Sequence, residues 1–362
     1  MRAFLRFASW PALAGLLAAL LILEYWVWPS ARAPVPADAA GYRGAVAAAT
    51  PAVVNIYTEK RVAARRPSLF DNLLLPIPRS VPRQRVERSL GSGVIMREDG
   101  YILTNNHVIE GADAIQVLLS DGRSAAAQVV GRDPPTDLAA LHIELDDLRA
   151  IELADSNRIA VGDVVLAIGN PLGFGHSVTQ GIVSGLGRFG LQPGTYEGFI
   201  QTDAVIHPGN SGGALVNSGG ALVGINTLIY TAAASASRDR VGIGIALAIP
   251  SRLAQFVMDD LIRYGQVIRG WLGVSVEQQE RRSGTVLQVQ AVAPEGPAAR
   301  AGLRPGDLIT HIDGQPISDV RVTMMEVALL RPGERLDLTV RRDGRSVDLQ
   351  AVVGAQREGT PG

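Results

Sequence analysis

Gly209-Asn-Ser-Gly-Gly213 is the segment of this chain best suited to bond-breaking chemistry. A serine hydroxyl such as that of Ser211 is a poor nucleophile until a neighbouring base takes its proton. Attack on a carbonyl also needs backbone N–H groups aimed at the oxygen that becomes negative. Flanking glycines permit a tight turn that presents such groups without Cβ clashes. The bland alternative is an ordinary hairpin or loop, so the segment carries weight only with a base and a carboxylate beside it.

Five histidines are available as the base. His107 follows the apolar run that begins at Tyr101, just past an expected strand and before a short helical turn over Val108–Gly111. A strand end is a rigid platform with an exposed side chain. His142 lies in the apolar run Leu138–Leu145 and reads as a packed or edge residue. His176 and His311 sit in turn-like or strand contexts with no nucleophile nearby. His207 is separated from Ser211 by Pro208 and Gly209 and reads as a loop residue that shapes the site. A carboxylate must then fix the imidazole tautomer and stabilise its charged form. Asp137 follows the turn Asp133-Pro-Pro-Thr136 and opens the strand-like Leu138-Ala-Ala-Leu141. The order His, Asp, Ser is one of those found among triads. Spacing alone leaves Asp133 open as an alternative to Asp137.

The elements that must position these groups are short strands. Between Gly41 and Ile249, apolar runs alternate with Gly, Pro, Asp and Asn, as in Ala52–Tyr57, Gly93–Met96, Tyr101–Thr104, Ile115–Leu119, Val164–Ile168, Gly181–Ser184 and Ala221–Asn226. Such spacing implies an all-β sandwich or barrel. Glu59–Arg88, rich in Arg and Pro, reads as a long loop. Ser251–Tyr264 has helical spacing of Leu253, Phe256, Val257 and Leu261, with Ser251 as N-cap and Gly265 past its end. From Val267 a second, α+β unit begins. Its strands are expected near Trp271–Val276, Thr285–Val292, Asp307–Ile312 and Leu336–Arg341, and its helices over Pro297–Ala301 and Val320–Leu330. The division this implies is residues 1–40, 41–265, 266–355 and a disordered tail, 356–362.

Bulk properties exclude several classes. The net charge of −1 gives no sign of a nucleic-acid partner. With no cysteine there is no disulfide, thiol nucleophile or thiolate metal site. At the N-terminus, Arg2 and Arg6 precede an uncharged stretch from Phe7 to Leu23, followed after Glu24 by Tyr25, Trp26, Val27 and Trp28. Taken through Trp28, the stretch is near the ~20 residues that span a bilayer, with an arginine-rich inner end and an aromatic belt. The rival is a signal peptide cleaved near Ala31-Arg-Ala33. Either reading sends the rest of the chain out of the cytoplasm, with Pro34–Ala40 as a tether.

Thr104-Asn-Asn-His-Val-Ile109, Thr136-Asp-Leu-Ala139, Gly169-Asn-Pro-Leu-Gly173, Val178-Thr-Gln-Gly-Ile-Val-Ser184, Gln201-Thr-Asp-Ala204, Gly209-Asn-Ser-Gly-Gly-Ala-Leu215 and Gly242–Pro250 together resemble the HtrA/Deg family of serine proteases. The resemblance runs from about Ala45 to Val353. It implies a mostly β fold, with a chymotrypsin-like double β-barrel protease domain followed by a small α+β PDZ domain. It also implies a triad of His107, Asp137 and Ser211, with Asp137 favoured over Asp133, and an oxyanion hole from the N–H groups of Gly209 and Ser211. No cofactor, ATP or metal is implied. Val205, Ile206, Thr227 and Leu228 are expected to line an apolar specificity pocket for small or medium aliphatic side chains.

The second unit resembles a single PDZ domain through Arg269-Gly-Trp-Leu-Gly-Val274 and Gly296-Pro-Ala-Ala-Arg-Ala-Gly-Leu303. In such domains a loop of N–H groups captures a C-terminal carboxylate and the peptide adds as a strand. Trp271, Leu272, Gly273 and Val274 would form that loop, and the Val320–Leu330 helix the facing wall; by strand alternation, Leu272 or Val274 must be a core residue. One PDZ domain plus an anchor resembles the DegS type within the family. This implies a bacterial inner-membrane protein with its catalytic domain in the periplasm, sensing C-termini of misfolded outer-membrane proteins and cutting a membrane-bound anti-sigma factor. Arg188, in Gly187–Pro193, matches the loop that reports PDZ occupancy. The long 59–88 segment instead resembles the soluble quality-control members, which degrade misfolded exported proteins. The family forms trimers, with Ala45–Tyr57 a candidate contact.

Overall fold

The structure is a computed structural model that describes residues 41–63, 84–170, 175–190, 196–230, 245–282 and 284–356. The expected anchor, Phe7–Trp28, lies outside these residues. Among those described, no helix is long and apolar enough to cross a membrane.

After helix α1 (Arg43–Ala49), the protease part opens with β1 (Val53–Ala63), β2 (Gln84–Ile95), β3 (Tyr101–Asn105), β4 (Ala114–Leu118), β5 (Ser124–Ala126), β6 (Gln128–Asp133) and β7 (Leu138–His142). They form one sheet in the order β5-β4-β1-β2-β3-β7-β6. A second set, β8 (Val164–Gly169), β9 (Ser177–Arg188), β10 (Phe199–Thr202), β11 (Ala214–Asn217), β12 (Leu222–Tyr230) and β13 (Ile245–Pro250), closes into a barrel. Every pairing within the two sheets is antiparallel, as hairpins joined by short turns require.

This barrel follows the alternating pattern. Val165, Ala167, Val183, Ile200, Leu215, Val223 and Ala248 point into one core, and a strand of alternating apolar residues buries one face in this way. β7 differs, because Leu138, Ala139, Ala140 and Leu141 are all buried. It is covered on both faces, which is why its sequence reads as an unbroken apolar run.

Two expectations change. Glu59–Arg88 is not all loop: β1 and β2 extend into it, with Glu59 opposite Arg88 and Ala63 opposite Gln84. Arg and Pro in the segment carry no apolar periodicity, so the strand extensions gave no signal in the sequence. The second change concerns Ala45–Tyr57. Ala49, Ala52, Val53, Val54 and Ile56 are buried within the fold, so only a minority of the segment's apolar side chains remain for a contact with another chain.

α2 (Asn106–Ile109) begins earlier than expected and contains His107. α3 (Ser251–Tyr264) matches its expected bounds and ends at Gly265 in the left-handed conformation. Its N-cap position is Pro250; the Ser251 hydroxyl instead donates to Ala154 O at 2.7 Å, tying the helix to the barrel.

The C-terminal part contains β14 (Gly270–Trp271), β15 (Val274–Arg281), β16 (Gly284–Val292), α4 (Pro297–Arg300), β17 (Leu308–Ile312), β18 (Gln315–Pro316), α5 (Val320–Ala328), β19 (Arg335–Arg342), β20 (Arg345–Val352) and β21 (Gly354–Ala355). Its main sheet runs β15-β16-β17-β19-β20, around a core of Leu287, Val289, Ile309, Leu336, Leu338 and Val340. Asp319 caps α5 by accepting from Arg321 N.

Candidate active site

β3 and β7 pair with Asn105 opposite Leu138. Antiparallel register therefore sets the end of β3 beside the start of β7, and His107 and Asp137 become neighbours. His107 Nδ1 lies 2.7 Å from Asp137 Oδ2, and the His107 backbone N–H donates to Oδ1 at 3.0 Å. With a carboxylate as acceptor, Nδ1 carries the proton and Nε2 is left as the basic nitrogen. Asp137 adopts a left-handed conformation, φ 55°, uncommon for a residue other than glycine. It is held there by its own N–H to Pro134 O and by Asn106 N and the Asn105 amide, both donating to Asp137 O. Asp133 is engaged elsewhere: it accepts from Thr136 Oγ1 and from Arg269, buried on both sides. The geometry thus couples Asp137, not Asp133, to the imidazole.

Ser211 comes from the loop between β10 and β11. Gly209 (φ 101°) and Gly212 (φ 82°) sit on either side in conformations that favour glycine. At Gly212 space also forbids a side chain, since a Cβ would lie 2.2 Å from Ser92 O and 2.4 Å from Thr104 Oγ1. The serine loop is pressed against the first sheet there. Among the described residues, the Ser211 hydroxyl donates to Thr227 O at 2.9 Å. The Thr227 hydroxyl donates in turn to Asp137 Oδ2 at 3.0 Å. To give its proton to Nε2 the Ser211 hydroxyl must leave Thr227 O.

The four residues expected to line a specificity pocket do not behave alike. Val205 is exposed, Ile206 is buried in the core of the β8–β13 barrel, and the Thr227 hydroxyl is committed to Asp137. The Leu228 side chain lies outside the described residues. The other histidines are packed or peripheral: His142 bonds Asp99 O and packs at a tilt against the Tyr101 ring, His176 bonds Val53 O, and His311 bonds the Thr310 hydroxyl. His207 accepts Asn210 N through its carbonyl, so it shapes the serine turn by its backbone.

In the C-terminal part, a groove of about 150 Å³ runs between β15 and α5, lined by Trp271, Gly273, Val274, Val276, Met324 and Val327 among others. Gly273 has φ 76°, and a Cβ there would meet the Trp271 ring at 2.9 Å. The carbonyls of Leu272 and Gly273 accept from Ala298 N and Ala293 N. Among the described residues, their N–H groups have no partner. Leu272 is buried and belongs to the domain core, while Val274 is half-buried at the groove. Val274 also packs against that core; residues two apart share a strand face, so alternation does not divide the pair and both contribute to the core.

Residues 91–225 match the trypsin-like peptidase domain family and residues 270–353 the PDZ domain family. The serine endoprotease DegS of Escherichia coli is 42% identical over 87% of this chain and 86% of its own length. The chain belongs to the HtrA-type serine endoproteases. The periplasmic serine endoprotease DegP of Escherichia coli is 44% identical, but this chain spans 57% of that relative's length. Among solved structures, the HtrA-type protease AlgW with a decapeptide is 48% identical, with a TM-score of 0.67 over 88% of this chain and 99% of that one. This HtrA-type chain is therefore a periplasmic serine endoprotease with a PDZ domain.

The sequence reading missed Tyr196, which lines the groove although it belongs to the protease half. Its hydroxyl donates to Gln356 and its backbone N–H to Pro135 O, two residues before Asp137. Arg269, directly before the Trp271 loop, reaches Asp133 at 2.5 Å and lies over the Tyr196 ring at 4.2 Å. Arg188 donates to Gln201 on β10. Its neighbour Phe189 lies under Arg321 of α5, 5.6 Å from the guanidinium. Bonding to Asp319 holds the Arg321 guanidinium above its usual range, and the charge of Glu197 adds to this. Tyr196 left no sequence signal because it follows a Gly-Pro-rich stretch that reads as loop.

Proposed function

We propose that this endoprotease is gated by C-terminal peptides bound at its PDZ groove. In this reading His107 Nε2 takes the Ser211 proton, Asp137 stabilises the resulting imidazolium, and the N–H groups of Gly209 and Ser211 receive the oxyanion. Trp271, Leu272, Gly273 and Val274 receive the peptide carboxylate, and Arg188 belongs to the responding loop. The proposed protein substrate is a membrane-bound anti-sigma factor, and the proposed signal is the C-terminus of a misfolded outer-membrane protein. The enzyme is held at the inner membrane by Phe7–Trp28 and works as a homotrimer.

The observation that carries the gating is Tyr196. One residue lines the peptide groove and bonds the turn that delivers Asp137, so a peptide that moves it acts on the turn. A ligand shifts activity only by its differential affinity for two states. Cleavage of a fluorogenic protein substrate should rise about 5–150-fold on adding a peptide with a free apolar C-terminus. The same peptide amidated at its C-terminus should have little effect. High basal activity that neither peptide changes would refute gating. It would favour the second reading, a general degrader of misfolded exported proteins, which the long β1–β2 arm also supports. Recovery of the full chain from the membrane fraction after a carbonate wash tests the anchor; an N-terminus at Pro34 would overturn it.

A further inference from the structure

Ser92 sits in β2, between Gly91 and Gly93, with no exposed surface. Its N–H donates to Ser211 O at 2.9 Å, and its hydroxyl donates to Gly209 O at 2.6 Å. The same hydroxyl accepts Asn170 N at 3.0 Å, and Ser92 O accepts the Thr104 hydroxyl at 2.7 Å. One buried residue of the first sheet therefore grips both residues assigned to the oxyanion hole, which belong to the other half of the fold.

The grip has a physical purpose. Gly209 stands at φ 101° and has no side chain, so nothing within the residue keeps its peptide planes in one orientation. An oxyanion donor is useful only when its direction is set before charge develops. From this we infer that Ser92 is a positioning residue for catalysis: its hydroxyl fixes the Gly209–Asn210 peptide plane and its N–H fixes the Ser211–Gly212 plane, so the peptide between them, which carries the oxyanion-binding N–H of Ser211, is held from both sides. The inference rests on the assignment of Ser211 as nucleophile and of Gly209 and Ser211 as oxyanion donors. Substitution by alanine removes the Gly209 contact and leaves Asn170 N, also buried, without its acceptor. Removing an oxyanion donor outright costs about 10²–10³-fold in kcat. Loosening one should cost about 10–100-fold by the same measure.

The test uses the full chain with Ser92→Ala, Ser92→Cys and Ser211→Ala. Turnover is expressed per active site, counted with a covalent serine titrant. Ser92→Ala should lose about 10–100-fold in kcat, with KM changed by less than about threefold. Its affinity for a peptidyl boronate, which forms an anionic tetrahedral adduct on the serine, should fall by a similar factor. Ser92→Cys, which keeps a weak donor, should fall between wild type and Ser92→Ala. Wild-type turnover per titrated site in Ser92→Ala would overturn the proposal, as would a loss carried entirely by KM or by the number of active sites. If Ser211→Ala itself remains active, the nucleophile assignment fails first. If Ser211→Ala is dead and Ser92→Ala is fully active, only the role of Ser92 fails.

Discussion

Around Ser211 the backbone is held from both halves of the protease fold, whereas the groove at Leu272 and Gly273 offers two N–H groups that have no partner among the described residues. In the cleft, Gly209 O, Ser211 O, Gly212 N and Gly213 N all have protein partners. The Ser211 hydroxyl rests on Thr227 O. The serine loop is thus tied into the protein fold, and the groove donors are left open until a carboxylate arrives. A tied backbone suits the cleft because charge develops there only in the transition state. Open donors suit the groove because binding must change something to be sensed.

The sharpest break of that contrast is Ser211→Ala, which should cut cleavage of an unfolded protein by about 10⁵-fold or more and leave the melting temperature within a few degrees. His107→Ala should cost about as much, because base and nucleophile act as one unit. Substantial residual proteolysis in either variant would show that the chemistry lies elsewhere. A smaller effect is expected at Thr227. Thr227→Val removes the hydroxyl on Asp137 and keeps the carbonyl that holds Ser211, so kcat/KM should fall about tenfold, the worth of one hydrogen bond to a charged group. No change would mean that Asp137 is oriented by Asn106, Asn105 and the His107 N–H alone.

The smallest effect tests the scaffold beneath the groove. Burial pushes the Asp307 carboxyl up, but the Arg342 guanidinium at 2.6 Å and the Arg304 N–H outweigh it and hold the group below the usual carboxylate range. A carboxyl whose pKa is lowered by folding contributes stability above its unfolded value of about 3.9, and that stability is lost as pH falls through the folded value. The PDZ part should therefore melt at a lower temperature below about pH 4. Arg342→Met should weaken that acid sensitivity in a calorimetric pH series. An unaltered pH profile would remove the pair from the account.

Much of the cleft was legible because its chemistry is local. Ser211 between glycines, His107 past a strand and Asp137 opening an apolar run each carry their own signal. Asp133 and Asp137 could not be separated by spacing, because the choice depends on the β3–β7 register and on Arg269, more than a hundred residues away in the chain. The pocket reading treated Thr227 as a lining side chain. Its hydroxyl is claimed by Asp137 instead, a contact across 90 residues that no local pattern announces. Ser92 was invisible for the same reason: a serine between glycines in a strand reads as a weak strand, not as a clamp on another barrel. The helices α3 and α5 were found from periodicity, but α5 ends at Ala328 rather than Leu330.

The central claim, that groove occupancy reaches the nucleophile, is tested most directly by the reactivity of Ser211 itself. Its labelling rate by a small fluorophosphonate would be measured with and without a saturating free-carboxylate peptide, in the wild type and in Tyr196→Ala. The account predicts that peptide speeds labelling of the wild type by about the same factor as it speeds cleavage, within 5–150-fold, and that Tyr196→Ala loses most of that gain while still binding peptide. Equal labelling rates with and without bound peptide in the wild type would contradict it.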